Sequence, residues 1–195
     1  MKKALLIIDY QNDFVSSDGK VGQKLTSVLG KETFLRLQNL SLPINKLISF
    51  WKKNNDSVIY VKSDYNEVNN VGRFREFRAS GAYGNTGLVG TKGHELYNIS
   101  ESADLEVVKN FFDAFINTNL DNYLKEHSIT DLYLCGVNTD FCVFHTAITA
   151  MIKGYNVYII IDATDTITKN KQVFLEYLEK YIGVILLGSE RLLDN

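Results

Sequence analysis

Six short apolar runs recur along this chain of 195 residues, and their spacing constrains the fold more than any other feature. They are Ala4–Ile8, Val58–Val61, Leu105–Val108, Leu132–Val137, Val157–Ile161 and Val184–Leu187. Each is four to six residues long and rich in β-branched side chains, which suits strands buried on both faces. Amphipathic segments alternate with them. Ser41–Asn54 has Pro43 near its start, where a missing N–H costs nothing. Its residues Ile44, Leu47, Ile48 and Trp51 form an i, i+3, i+4, i+7 stripe. Thr118–Glu126 and Asn170–Tyr181 also read as helices. So does Phe141–Lys153, which stops at Gly154 and has Asn138 or Thr139 placed to cap its start. Strand–helix alternation predicts an α/β fold of three layers, α/β/α, around a central, mainly parallel six-stranded sheet. Val15–Leu40 and Ser63–Asp104 do not fit the alternation and read as long, functional loops, with some helix expected in Lys31–Leu40.

The length suits a single domain over residues 1–195. Hydrophobic residues make up 45% and charged residues 23%, the balance of a soluble protein. A net charge of −2 argues against charge-driven binding to nucleic acid or a membrane surface. The compact basic cluster is Arg73, Arg75 and Arg78. Cys135 and Cys142 do not make a disulfide framework. Ala4–Ile8 is too short for a secretory signal or a membrane span. A reducing, cytoplasmic setting is expected.

Ligands of open parallel sheets bind outside the carboxyl ends of the strands. The residues that follow the runs are Asp9, Ser63–Asp64, Lys109, the segment Gly136–Cys142 and Asp162. A carboxylate, an amine and a thiol therefore meet on one sheet edge. Cys142 falls in the first turn of a helix, where unpaired N–H groups and the dipole favour a thiolate. Its own N–H, with one from the preceding turn, can hold an oxyanion. Each residue alone also fits a plainer role: Cys142 a small buried side chain, Asp9 a turn cap, Lys109 a solvated strand end. Cys135, inside a strand, reads as core. Six residues separate the cysteines, unlike a Cys-x-x-Cys redox pair.

The motifs resemble those of the isochorismatase-like cysteine hydrolases, which include nicotinamidases and N-carbamoyl amidases. Ile7–Ile8–Asp9–Tyr10–Gln11–Asn12–Asp13–Phe14 resembles their opening motif, and Gly90–Thr91–Lys92–Gly93–His94–Glu95–Leu96 their glycine-flanked segment. Val107–Val108–Lys109 with Asp113–Ala114–Phe115 resembles the lysine motif. Leu134–Cys135–Gly136–Val137–Asn138–Thr139–Asp140–Phe141–Cys142–Val143 resembles the nucleophile motif. The resemblance implies that Cys142 attacks a carbonyl, Asp9 carries its proton and Lys109 orients Asp9. It also implies that the N–H groups of Asn138 and Cys142 hold the oxyanion, and that the Val137–Asn138 peptide is cis. The substrate is then a small amide, ureido or carbamoyl compound cleaved through an acyl thioester, and homo-oligomers are expected.

The sequence also departs from these relatives. Nicotinamidases carry an Asp-x-His pair and a further His that bind a metal. Here the segment reads Asp64–Tyr65–Asn66–Glu67, and the histidines are His94, His127 and His145. No metal and no cofactor are expected, although Asp64 and Glu67 are still able to hold a hard cation weakly. Isochorismatases proper lack the cysteine, so Cys142 argues against their substrate. Phe14, Phe141, Asp64, Arg73 and Arg75 are the candidate substrate contacts. Arg73–Arg78 reads as a lid whose aromatics exclude water and whose arginine clamps a carboxylate, or as a surface packed on a neighbouring subunit. His145 reads as a packing residue and His94 as shaping its loop. A nicotinamidase with an altered metal site is the rival enzyme, and a binding protein that kept the fold is the rival without chemistry.

Overall fold

The computed structural model describes residues 2–66, 72–81 and 83–193, without the side chains of 78–80. Glu67 and the side chain of Arg78 lie outside the described residues. Six parallel strands form one sheet: β1 (Lys2–Ile8), β2 (Ser57–Ser63), β3 (Leu105–Lys109), β4 (Ile129–Val137), β5 (Asn156–Asp165) and β6 (Ile185–Leu187). Their order is β3-β2-β1-β4-β5-β6. All six apolar runs lie within or overlap these strands.

Helices cover both faces. In chain order they are α1 (Asn12–Val15), α2 (Lys20–Leu29), α3 (Lys31–Asn39), α4 (Ser41–Lys53), α5 (Gly72–Ser80), α6 (Leu120–Glu126), α7 (Phe144–Ile152), α8 (Lys171–Tyr177) and α9 (Glu190–Leu193). The pleat of β1 explains the layering, because successive side chains point to opposite faces. Leu5 and Ile7 pack with Ile44, Leu47, Ile48 and Trp51 of α4. Leu6 and Ile8 pack with Leu120 and Leu124 of α6 and Ala147 and Ala150 of α7. Among the described residues no helix is long and apolar enough to cross a membrane.

Three expectations are corrected. Val15–Leu40 is not a loop but carries α2 and α3. Gly30, at φ 81°, separates the two helices, and only Val21 and Gly22 of α2 are buried, so its apolar signal is thin. Strand five does not end at Asp162. A register shift between Leu134 and Gly136 lets β5 run on until Thr164 pairs with Gly136 and Asp165 with Val137. Asp162 instead accepts the backbone N–H and the hydroxyl of Ser189. The helix expected from Phe141 opens as a π-helical turn, Thr139–Val143, before α7. A second π turn, Leu178–Ile182, follows α8.

Candidate active site

The parallel register brings the strand ends together. Ile8 lies beside Val61 on one side and Gly136 on the other, and Ser63 lies beside Lys109. Asp9 follows β1 with φ 50°, and its N–H donates to Val61 O at 2.8 Å. Lys109, 1% exposed, is the last residue of β3. Its Nζ donates to Asp9 Oδ2 at 2.8 Å, to Ser63 Oγ at 2.8 Å and to the Phe111 carbonyl at 2.9 Å. A buried ammonium requires such partners. Burial opposes its charge, but the Asp9 carboxylate, with Cys142 and Tyr65, outweighs burial and holds the Lys109 pKa above its ordinary value.

Cys142 lies in the π turn, buried, 3.5 Å from Lys109 Nζ and 3.7 Å from Tyr65 Oη. Its protonation state differs from the expectation. Burial first, and the Asp9 carboxylate second, push the thiol up to about 12, against the lowering effect of Lys109 and Tyr65. The resting group is therefore favoured as a thiol. The helix start is outweighed because its dipole contributes about 2 kcal/mol at most, less than desolvation of a buried anion.

The segment that carries Cys142 is pinned by the last residues of β5 and those that follow it. The Asn138 Oδ1 accepts the Ile167 N–H at 3.1 Å, so the side chain is not a helix cap. Thr139 and Thr164 hydroxyls meet at 2.9 Å, and Thr164 donates to Gly136 O at 2.8 Å. The buried Asp140 carboxylate accepts the hydroxyls of Thr166 and Thr168. The Val137–Asn138 peptide is cis.

The rest of the opening motif is scaffolding. Gln11 brackets Ser63, donating from Nε2 to its carbonyl at 2.9 Å and accepting its N–H at Oε1 at 2.7 Å. Asp13 accepts the N–H groups of Gly87 and Lys20 at 2.8 and 3.0 Å. The Nδ1 of His94 lies 2.7 Å from the Gly87 carbonyl, so that nitrogen carries the proton.

A cavity of about 100 Å³ opens above Cys142, lined by Asp9, Phe14, Tyr65, Phe77, Gly81, Tyr83, Phe112, Asn138, Phe141 and Cys142. Phe14 packs edge-on to Tyr65 at 5.9 Å, and Phe112 lies 5.5 Å from Phe141. Phe14 and Phe141 thus sit on the wall. Arg73 and Arg75 do not: both are exposed on α5 and absent from the lining, so no clamp from either reaches the cavity. Asp64 is buried behind the wall, and its Oδ1 has no hydrogen-bond partner among the described residues. Sequence reasoning read Phe77 only as one of the aromatics of a lid and gave no catalytic or binding role to Ser63, Tyr65, Tyr83 or Phe112. Ser63 alone carried a signal, as a polar residue ending a buried strand.

The donor set does not fit the metal of nicotinamidases. Among the described residues no three His, Cys, Asp or Glu side chains gather. His94 is committed to Gly87. His127 and His145 are exposed and meet the carbonyls of Tyr123 and Phe141 at 2.9 and 2.7 Å. Zinc sites of this kind draw on imidazole, and none stands beside Asp64.

A family model described as Isochorismatase domain matches residues 3–189. An uncharacterized isochorismatase family protein of Bacillus subtilis is 31% identical over 168 residues, 82% of this chain and 84% of its own. A protein of Arabidopsis thaliana named a probable inactive nicotinamidase is 32% identical over 170 residues, 85% of this chain and 81% of its own. The solved pyrazinamidase/nicotinamidase of Streptococcus mutans superposes with a TM-score of 0.78 at 27% identity, covering 95% of this chain and 100% of that one. A match of that extent, over a six-stranded parallel sheet with this order, places the chain in the isochorismatase family.

Proposed function

We propose that this protein is a cysteine-dependent hydrolase that cleaves the C–N bond of a small amide, ureido or carbamoyl compound through an acyl thioester. The observation that carries the reading is the buried Lys109 ammonium that joins Asp9 and Cys142, both of which line one aromatic-walled cavity. In the first step Sγ bonds to the carbonyl carbon while its proton passes to Asp9. The carbonyl π electrons move to oxygen, and the N–H groups of Asn138 and Cys142 hold that charge. Collapse breaks the C–N bond, and Asp9 returns the proton to the leaving nitrogen. Water then attacks the thioester, losing a proton to Asp9, and the thiol is regenerated as the acid departs. Lys109 keeps its charge throughout and orients Asp9.

Among the described residues six aromatic rings wall the cavity, and neither Arg73 nor Arg75 is part of its lining. Apolar walls around few polar groups suit a small uncharged substrate rather than one that carries a carboxylate. This favours a second reading, a nicotinamidase-type enzyme whose metal site is altered, and the relatives named nicotinamidase support it. The probable inactive relative keeps a non-catalytic binding protein as the rival to both. We further propose one domain in a reducing compartment, assembling as a homo-oligomer. Ile152, Val173 and Tyr181, exposed on α7, α8 and the turn after it, support the assembly.

Ammonia release should be scored over a panel of pyridine carboxamides, ureido acids and carbamoyl amines, with wild-type protein and Cys142→Ala. Release that Cys142→Ala abolishes, with an acyl adduct on the Cys142 peptide by mass spectrometry, is expected. No release from any compound and no adduct would refute the enzymatic reading in favour of the binding protein.

A further inference from the structure

The Lys109 ammonium has three N–H groups to give, and four acceptors surround it. Asp9 Oδ2, Ser63 Oγ and the Phe111 carbonyl lie at 2.8, 2.8 and 2.9 Å, and Cys142 Sγ lies at 3.5 Å. Three oxygens at short range outcompete a neutral sulfur, which is a weak acceptor. Sulfur, at 3.5 Å, is therefore the most weakly bonded of the four.

Ser63 is built to hold that arrangement. It has no exposed surface. Gln11 fixes both its backbone N–H and its carbonyl. Its hydroxyl donates to Asp9 Oδ1 at 2.9 Å, so its lone pairs face Lys109. We propose that Ser63 is a positioning residue that occupies a Lys109 N–H otherwise available to Cys142, keeping the resting nucleophile as a thiol. When Asp9 takes the thiol proton, an S–H bond breaks and an O–H bond forms. The carboxyl group then accepts hydrogen bonds less strongly, and its Lys109 N–H turns to the new thiolate. Protection of the thiol and its release are thus set by one hydrogen-bond inventory.

The charged and titratable groups that face Cys142 among the described residues are Asp9 after β1, Tyr65 after β2 and Lys109 on β3. The test reads the thiol directly. The rate of Cys142 alkylation by iodoacetamide is followed against pH by mass spectrometry of the Cys142 peptide. The proteins are wild type, Ser63→Ala and Ser63→Thr, with circular dichroism verifying their fold. In Ser63→Ala three acceptors meet three N–H groups, so Lys109 bonds sulfur at rest. A charge-assisted bond of that kind should raise alkylation at pH 8 by about tenfold and move the midpoint of the profile down by about one pH unit. Ser63→Thr, which keeps the oxygen, should follow the wild-type curve.

An unchanged or upward-shifted midpoint in folded Ser63→Ala would overturn the inference. So would a Ser63→Thr protein that behaves like Ser63→Ala. The inference rests on Cys142 as nucleophile, yet the two fail separately. Turnover that survives Cys142→Ala sinks the proposed function, and an unmoved alkylation profile sinks only the role of Ser63.

Discussion

Replacing Lys109 by Met removes a charge from a place that water does not reach. The Lys109 side chain is 0% exposed and Asp9 is 4% exposed, with 2.8 Å between Nζ and Oδ2. Met fills most of the volume of the lysine stem, so the cavity cost is small and the electrostatic loss dominates. Asp9 is left a buried carboxylate without its cation, and the Phe111 carbonyl loses a donor. Breaking such a pair by removing one partner costs about 3–5 kcal/mol. For a chain of this size each kcal/mol lowers Tm by roughly 2–4 °C, so a fall of roughly 6–20 °C is expected. The folded-state pKa of Lys109 lies above its ordinary 10.5. The stabilisation is therefore fully present below pH 10.5 and is lost as pH rises through that higher value. Urea unfolding followed by Trp51, the single tryptophan and fully buried, should give the same difference at pH 7 and pH 9. The double variant Asp9→Asn with Lys109→Met should lose less than the two single losses added together, since no lone buried charge remains. A Lys109→Met protein within about 1 kcal/mol of wild type, or strict additivity in the double variant, would refute this account of the pair.

Gly136 has φ 103°, and a Cβ there would lie 2.1 Å from Ile8 O, so Gly136→Ala should lose about 3 kcal/mol or more by urea unfolding. The folded thiol of Cys142, pushed up to about 12, should react with iodoacetamide at pH 7.5 far more slowly than in the unfolded chain, where cysteine titrates at about 8.5; alkylation of native protein as fast as that of unfolded protein at that pH would contradict it. Phe112→Ala, which opens the aromatic wall, should raise KM on any substrate found by the amide panel by about tenfold and leave kcat within about threefold.

Much of the fold was legible because buried parallel strands must be apolar on both faces, and runs such as Leu132–Val137 have no other use. The helix α4 was legible because one stripe, Ile44 to Trp51, does all its packing. What periodicity missed had weak stripes or irregular geometry. The helix α2 buries little, and the register shift in β4 that lengthens β5 leaves no mark in hydropathy. At the site, strand ends named Asp9 and Lys109, since a charged residue that closes a buried run has few places to go. Tyr65, Phe77, Tyr83 and Phe112 come from loops and from α5, whose path is set by tertiary contacts. The arginines of α5 looked like a substrate clamp from their clustering alone, but clustering in sequence does not fix the face of a helix that meets the cavity.

The protonation state of Cys142 was the least legible feature, because it depends on a balance among three groups rather than on position in a helix. With a thiolate, two anions would share one ammonium in a buried site. With a thiol, Asp9 and Lys109 cancel and Cys142 adds nothing, so the trio is neutral, the state a low dielectric favours. In the proposed reaction the proton moves from sulfur to Asp9 as the carbonyl oxygen gains charge. The negative charge then leaves the trio and settles on backbone N–H groups of the segment pinned by Asn138, Thr139 and Asp140. The trio passes from one balanced arrangement to another that carries the ammonium charge alone, opposite an oxyanion a few bonds away. In that proposal Thr164 at the end of β5, with Thr166 and Thr168 after it, keeps those N–H groups where the charge arrives. That is why the side chains of Asn138, Thr139 and Asp140 are all tied to residues at or just beyond the end of β5.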